Sequence, residues 1–262
     1  MTRRLEDRIA IVTGAAKGMG REICLKLASE GAHVALAARE EAPLAALAKE
    51  IDGLGRRALV QPTDVVDEPS VQALVARTLE TFGGRIDILV NGAGVTGPIE
   101  TPVWEIKADD FDHVLAVNVR GTFLPTKHAL PTMIAQRYGK IVNISGTSGL
   151  RGYRYRSAYS ASKWAIRGFT RTVALEAGPH NVNVNALHPG IVWGPRMDKL
   201  CREKAKKRGW TYEQVYQEYV GEMALRRVTV AGDIANAVAF LCSDDAKNMT
   251  GQSVTVDGGW DV

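Results

Sequence analysis

Thr13-Gly14-Ala15-Ala16-Lys17-Gly18-Met19-Gly20 follows directly on the apolar run Ile9-Ala10-Ile11-Val12 and leads into a helical pattern over 20–30. Glycines here permit a tight turn and a close backbone approach to a bound group. The exposed N–H groups and dipole of a helix N-terminus favour negative charge, so a pyrophosphate suits the turn. A lone glycine cluster would carry little weight. This one sits at the end of the first strand of a strand–helix–strand unit, which is the context that gives it meaning. The plainer alternative is a turn that only packs helix on strand.

Outward from this turn, short β-branched or aliphatic runs at 9–12, 34–37, 58–61, 86–90, 140–145, 181–187 and 253–256 alternate with helical stretches such as 20–30, 70–82, 118–136 and 157–177. Most of the runs lack polar alternation, as expected of strands buried on both faces of a parallel sheet. The repeated units of about 30 residues predict a doubly wound, Rossmann-like parallel α/β sheet. With no internal repeat and no low-complexity linker, residues 1–262 are read as a single domain. Segment 196–222 breaks the rhythm: it is helical, rich in charge and follows a Pro-Gly turn. An excursion of this kind is expected to form a substrate-binding lid.

Composition narrows the function classes. A 45% hydrophobic, 24% charged chain has the balance of an ordinary soluble protein. No apolar run is long enough to span a bilayer, and no signal-peptide pattern precedes the first strand. The three cysteines, Cys24, Cys201 and Cys242, are far apart, which argues for reduced thiols and a cytoplasmic location. No His/Cys/Asp/Glu set has metal-ligand spacing, so no catalytic metal is expected. The net charge of +4 is low for nucleic-acid binding and no such motif accompanies it.

Tyr159 and Lys163 stand four residues apart in a helical stretch and so share one face. A phenol ionises near pH 10, too high for a base at neutral pH, but a neighbouring ammonium favours the phenolate. That is the tuning general acid–base catalysis needs. Asn118 lies in a second helical pattern, where asparagine is a poor helix former because its side chain competes with the backbone. A functional role there competes with a simple helix kink.

The spacing of the glycine turn differs from the commoner Rossmann fingerprint and resembles that of the short-chain dehydrogenase/reductase family. The resemblance runs over nearly the whole chain. Asp64 in Thr63-Asp64-Val65 is similar to the family's adenine-contacting aspartate. Asn91-Gly92-Ala93-Gly94 is similar to its Asn-Asn-Ala-Gly turn, with Gly92 in place of the second asparagine. Pro189-Gly190-Ile191-Val192 resembles the turn flanking the nicotinamide, and Thr250-Gly251-Gln252 through Asp257-Gly258-Gly259 its C-terminal strand signature.

The resemblance implies a nicotinamide-dependent enzyme that moves a hydride between cofactor and an alcohol or ketone. Tyr159 would be the acid/base. Lys163 would lower its pKa and hold the ribose, and Asn118 would hold a proton-relay water. Gly14, Lys17, Gly18, Met19, Gly20, Asp64, Val65, Asn91, Ala93, Gly94, Pro189, Gly190 and Val192 are the expected cofactor contacts, and a homotetramer is implied. The position that selects NAD falls on uncharged Ala38, followed by Arg39. Arg39 and Lys17 would suit a 2′-phosphate, which favours NADP over NAD.

One family residue is missing. The serine that hydrogen-bonds the reacting oxygen, 13 residues before the tyrosine, is here Gly146. A neighbouring hydroxyl, Ser148 or the opposite-facing Ser145, would substitute; or the glycine is an engineered change; or the chain binds cofactor and catalyses poorly, as a dinucleotide sensor or scaffold. A serine restored at 146 is expected to raise turnover or leave it unchanged. Gly146, Thr147, Arg154, Trp193 and Arg196 are candidate substrate contacts. The basic loop 150–156 and the cations Arg196, Lys199, Arg202, Lys204, Lys206, Lys207 and Arg208 point to an anionic substrate, a carboxylate, phosphate or sulfonate on a sugar or small alcohol, if they line a cleft. They are equally readable as solvated faces and inter-subunit salt bridges.

Overall fold

The computed structural model describes residues 3–260. Seven parallel strands, β1 (Ile9–Thr13), β2 (His33–Ala38), β3 (Ala58–Pro62), β4 (Ile88–Asn91), β5 (Gly139–Ile144), β6 (Val182–Pro189) and β7 (Ser253–Val256), form one sheet in the order β3-β2-β1-β4-β5-β6-β7. Each apolar run of the sequence forms a strand. The fourth begins at Ile88 rather than at 86; Asp87 just before it still bonds Ile9 O and Lys140 N–H through its backbone, and its carboxylate accepts the Ile9 N–H and the Arg85 guanidinium.

Strand alternation divides the core into two layers. Ala10 and Val12 face one way, against α1 (Gly18–Ser29), α2 (Glu41–Gly53) and, with Ile234 and Val238, the C-terminal helix over Ala231–Cys242. Ile9 and Ile11 face the other way, toward α3 (Glu68–Thr81) and the later helices α5 (Gly121–Gln136) and α6 (Ser157–Ala177). Between α3 and α5 comes the short α4 (Ala108–Leu115), joined to α5 by a π-helical turn over Ala116–Arg120. The 196–222 excursion forms α7 (Pro195–Arg208) and α8 (Tyr212–Glu222), with the Ala231–Cys242 helix as α9. A separate small core of Met197, Cys201, Val215, Tyr219, Met223 and Trp260 seats α7 and α8.

The chain crosses from β3 at one edge to β4 on the far side of β1, so the strand order reverses between β1 and β4. Ligands of doubly wound sheets bind at such a switch, beyond the carboxyl ends of the strands. Here Thr13 Oγ1 accepts the N–H groups of Gly92 and Ala93 at 3.1 and 3.3 Å, which fixes the turn after β4 beside the glycine turn after β1.

Candidate active site

A cavity of about 470 Å³ runs along these carboxyl ends, from the glycine turn to the underside of α7. The glycines line one end of it. Gly18 has φ +57° and open space where a side chain would stand. At Gly14 a Cβ would come within 2.8 Å of Ala93 N, and at Gly20 it would collide with Gly14 O. The backbone there is as close as glycine allows, and the residues fit a pyrophosphate. Lys17, Gly18, Met19 and Gly20 line the cavity, as do Ala38, Arg39 and Asp64, with Val65 beside them. Glu40, which sequence reasoning did not single out, lines the same end. Its only sequence signal was its position directly after Arg39.

Asn91 lies elsewhere. It is buried, outside the cavity lining, and its Nδ2 donates to Thr126 Oγ1 and Asn143 Oδ1. Its side chain ties β4 to β5 and α5, while Ala93 and Gly94 of the same turn face the cavity.

Tyr159 and Lys163 project from the start of α6 at the middle of the cavity, near Pro189, Gly190 and Val192. Lys163 is 3% exposed and its Nζ donates to Ile144 O at 2.9 Å. The ammonium lies 5.5 Å from the centre of the Tyr159 ring. Burial alone would raise the phenol's pKa. Lys163, Arg196 and Arg156 outweigh it and hold Tyr159 below the ordinary tyrosine value. Burial pulls the Lys163 ammonium down in turn, against the attraction of Tyr159.

Asn118 is fully buried in the π-helical turn, a feature frequent at functional sites. Its Oδ1 accepts Val95 N–H at 2.8 Å, and its Nδ2 donates to Val95 O and to Ser162 Oγ. Gly94 packs between Asn118 and Lys163: a Cβ there would stand 3.1 Å from Asn118 Oδ1 and 3.9 Å from Lys163 Nζ.

Position 146 faces the site, since a Cβ on Gly146 would lie 3.7 Å from Tyr159 Oη. Among the neighbouring hydroxyls, Ser145 Oγ donates to Lys163 O, away from the phenol. Thr147 Oγ1 accepts the Tyr153 hydroxyl. Ser148 is half-buried on the cavity wall. His188 Nδ1 lies 2.8 Å from Gly146 O, so that nitrogen carries the proton and the ring braces the loop.

On the substrate side, Trp193 stands edge-on to Tyr216, and exposed Arg154 lines the rim. The basic residues of the lid do not act as one cluster. Arg202 pairs with Asp198, Lys204 and Arg208 with Glu100, and Arg208 also with Glu218. Lys207 Nζ donates to the carbonyls of Ile99 and Glu100. Two guanidiniums are different. Arg156 stacks over the Tyr159 ring at 4.7 Å, and its Nη1 is buried without a hydrogen-bond partner. Arg196 lies beside the Tyr159 hydroxyl and donates to Gly94 O at 2.8 Å. Neither has an ion-pair partner among the described residues. The loop carrying Arg156 was legible as basic; the direction of its side chain was not.

A phenol able to exchange a proton, set across one cavity from a phosphate cradle, is what a dinucleotide-dependent oxidoreductase requires. Comparison with known proteins agrees. The family model described as short chain dehydrogenase matches residues 8–206. Trans-4-hydroxycyclohexanecarboxylate dehydrogenase of Sinomonas cyclohexanicum is 36% identical, over 98% of this chain and 93% of that protein. A crystal structure of NAD+-bound xylitol dehydrogenase superposes with a TM-score of 0.94 at 34% identity, over 98% of this chain and all (100%) of the other. An actinorhodin polyketide ketoreductase with NADPH gives 0.92 at 32% identity, over 97% of each chain. The chain belongs to the short-chain dehydrogenase/reductase family and is a nicotinamide-dependent oxidoreductase acting on CH–OH groups.

The conformation of Gly146 changes the expectation for a serine there. Its φ of +155° with ψ 165° lies in a region that L-residues rarely adopt. Gly146→Ser and Gly146→Ala should each lower unfolding stability by about 1–3 kcal/mol in denaturant titrations, because the Cβ and not the hydroxyl brings the strain. The serine expected from the sequence to raise turnover or leave it unchanged thus carries a stability cost. Unchanged stability in both variants would show that the loop tolerates a side chain.

Proposed function

We propose that the enzyme transfers a hydride between NADP, in preference to NAD, and an alcohol or ketone that carries an anionic group close to the reacting carbon. The carrying observation is the set around one phenol: Lys163 behind it, Arg156 over its ring and Arg196 at its hydroxyl. When bound, the nicotinamide supplies the hydride acceptor for oxidation, or the donor for reduction. Tyr159 takes the proton of the carbinol hydroxyl, or returns one to the carbonyl oxygen. Lys163 stabilises the phenolate through charge, and Asn118 serves the proton relay behind it. A sensor would have no use for a phenol so surrounded by cations.

An anionic substrate is supported by Arg156, whose buried and unsatisfied Nη1 is costly unless a ligand accepts from it. NADP is supported by Arg39 and Lys17 at the adenosine end, where Glu40 and Asp64 are the carboxylates on the same lining. Both NAD+ and NADPH accompany the structural relatives, so these side chains carry the choice. The homotetramer implied by the family is supported by Phe123, Trp164 and Leu175, exposed on α5 and α6 at 43, 45 and 81%. The three buried free thiols suit the reducing cytoplasm, and among the described residues no helix is long and apolar enough to cross a membrane.

Tyr159→Phe should lower turnover by about 10²–10⁴-fold while cofactor binding persists. Because the base is the phenolate and its pKa is lowered, oxidation by the parent should rise with pH and level off below the ordinary tyrosine value. Intact turnover in the variant would remove the mechanism. NADPH should bind more tightly than NADH by fluorescence titration, and Arg39→Ala should cost about tenfold in NADPH affinity alone. Tighter NADH binding would reverse the assignment. Trans-4-hydroxycyclohexanecarboxylate should show a higher kcat/KM than its methyl ester; equal constants would remove the anion preference.

A further inference from the structure

Hydride transfer leaves negative charge on the substrate oxygen, or requires that charge to develop, and Tyr159 provides only one hydrogen bond to it. Preorganised donors at such an oxygen are a large source of rate. At position 146 the chain has no side chain to give, and its backbone has settled where glycine is favoured. Ser145 spends its proton on Lys163 O, and Thr147 Oγ1 is engaged as the acceptor of the Tyr153 hydroxyl. Thr147 and Ser148 remain on the cavity wall, and a donor from another element is the alternative to them.

Arg196 is placed for this. It sits in the first turn of α7 and lines the same cavity as Gly146. One N–H is spent on Gly94 O, the turn that packs against Asn118 and Lys163, and this anchor brings the guanidinium beside the Tyr159 hydroxyl. A guanidinium carries five N–H donors, so others remain after that bond. Arg202, Lys204 and Arg208 of the same helix are held by Asp198, Glu100 and Glu218, whereas Arg196 has no carboxylate partner among the described residues.

We propose that Arg196 is a catalytic residue, the second hydrogen-bond donor to the reacting substrate oxygen, replacing the hydroxyl that Gly146 lacks. In reduction, the oxygen gains an electron pair as hydride reaches the carbonyl carbon. Arg196 donates a hydrogen bond without giving up its proton, and Tyr159 delivers the proton that completes the alcohol. Oxidation is the reverse. The assignment rests on the hydride-transfer reading of Tyr159 given above.

The test uses the full-length chain and two readouts. The first is the ultraviolet titration of tyrosinate without cofactor, with Tyr159→Phe subtracted to isolate the one phenol. Arg196→Met should move that midpoint up by about one pH unit, the effect of removing a neighbouring cation. The second is the NADPH-dependent reduction of cyclohexanone, a neutral probe that registers no loss of an anion contact. Here Arg196→Met should lower kcat by about 10²–10³-fold, as loss of one oxyanion donor does. Added guanidinium ion should restore part of it, and Arg196→Lys should fall between. An unmoved tyrosinate midpoint overturns the proposal. So does a kcat that stays within about threefold of the parent, or a collapse of kcat in Ser148→Ala with Arg196→Met intact. If Tyr159→Phe itself keeps full turnover, the underlying function fails; if only Arg196→Met does, this assignment alone fails.

Discussion

The site depends on a half-buried phenol set among cations. Burial by itself makes Tyr159 a weaker acid, because a phenolate removed from water loses hydration. Three positive side chains reverse the sign, and each is supplied by different means. Lys163 is one helical turn along α6 and is held by Ile144 O at the end of β5. Arg156 lies just before the same helix, and Arg196 comes from α7 across the cavity. Inside a cleft such charges act through a lower effective dielectric than in water, so their separation from the phenol matters more than their number. The sheet, the helix register and the lid are therefore joined by one electrostatic requirement.

The lid is rich in charge for a reason other than attraction of ligands. Glu100 is nearly buried and receives Lys204 and Arg208, while Arg208 also reaches Glu218 on α8. Lys207 secures the carbonyls of the same loop. These contacts attach α7 to the segment after β4, and the small core around Tyr219 and Trp260 fixes the other side. A net count of the cations of segment 196–222 overstates the field in the cavity, because Arg202, Lys204 and Arg208 are paired with carboxylates within the chain. Arg156 and Arg196 line the cavity without an ion-pair partner among the described residues.

This explains which features the sequence could disclose. Strand runs, the glycine turn and the Tyr159–Lys163 spacing are legible because local rules determine them: burial on both faces, φ freedom and helical periodicity. The orientation of Asn91 was not legible. A polar residue at a strand end can face either the ligand or the next strand, and the hydrogen bonds to Thr126 and Asn143 that decide it come from distant parts of the chain. Asn118 reads as a helix irregularity, but the π-helical turn and its bonds to Val95 and Ser162 depend on how α4 packs against α6. Arg156 and Arg196 were visible as charges. Which cations would remain without carboxylates depended on where Glu100 folds.

Gly146 and the lid are best understood together. A side chain at 146 would fill the space between Tyr159 Oη and Pro189 O, both less than 4 Å from where its Cβ would stand. Leaving that space empty widens the cavity on the β5 side and removes a neutral donor fixed to the sheet. A donor carried on α7, as proposed for Arg196, differs in two ways: it is cationic, and it belongs to a helix rather than to the sheet. Its bond to Gly94 O ties that helix to the turn after β4. Lys163 on α6 is tied to the end of β5, whereas α7 lies outside the sheet, and on the proposed reading that helix supplies the donor that the strand end lacks.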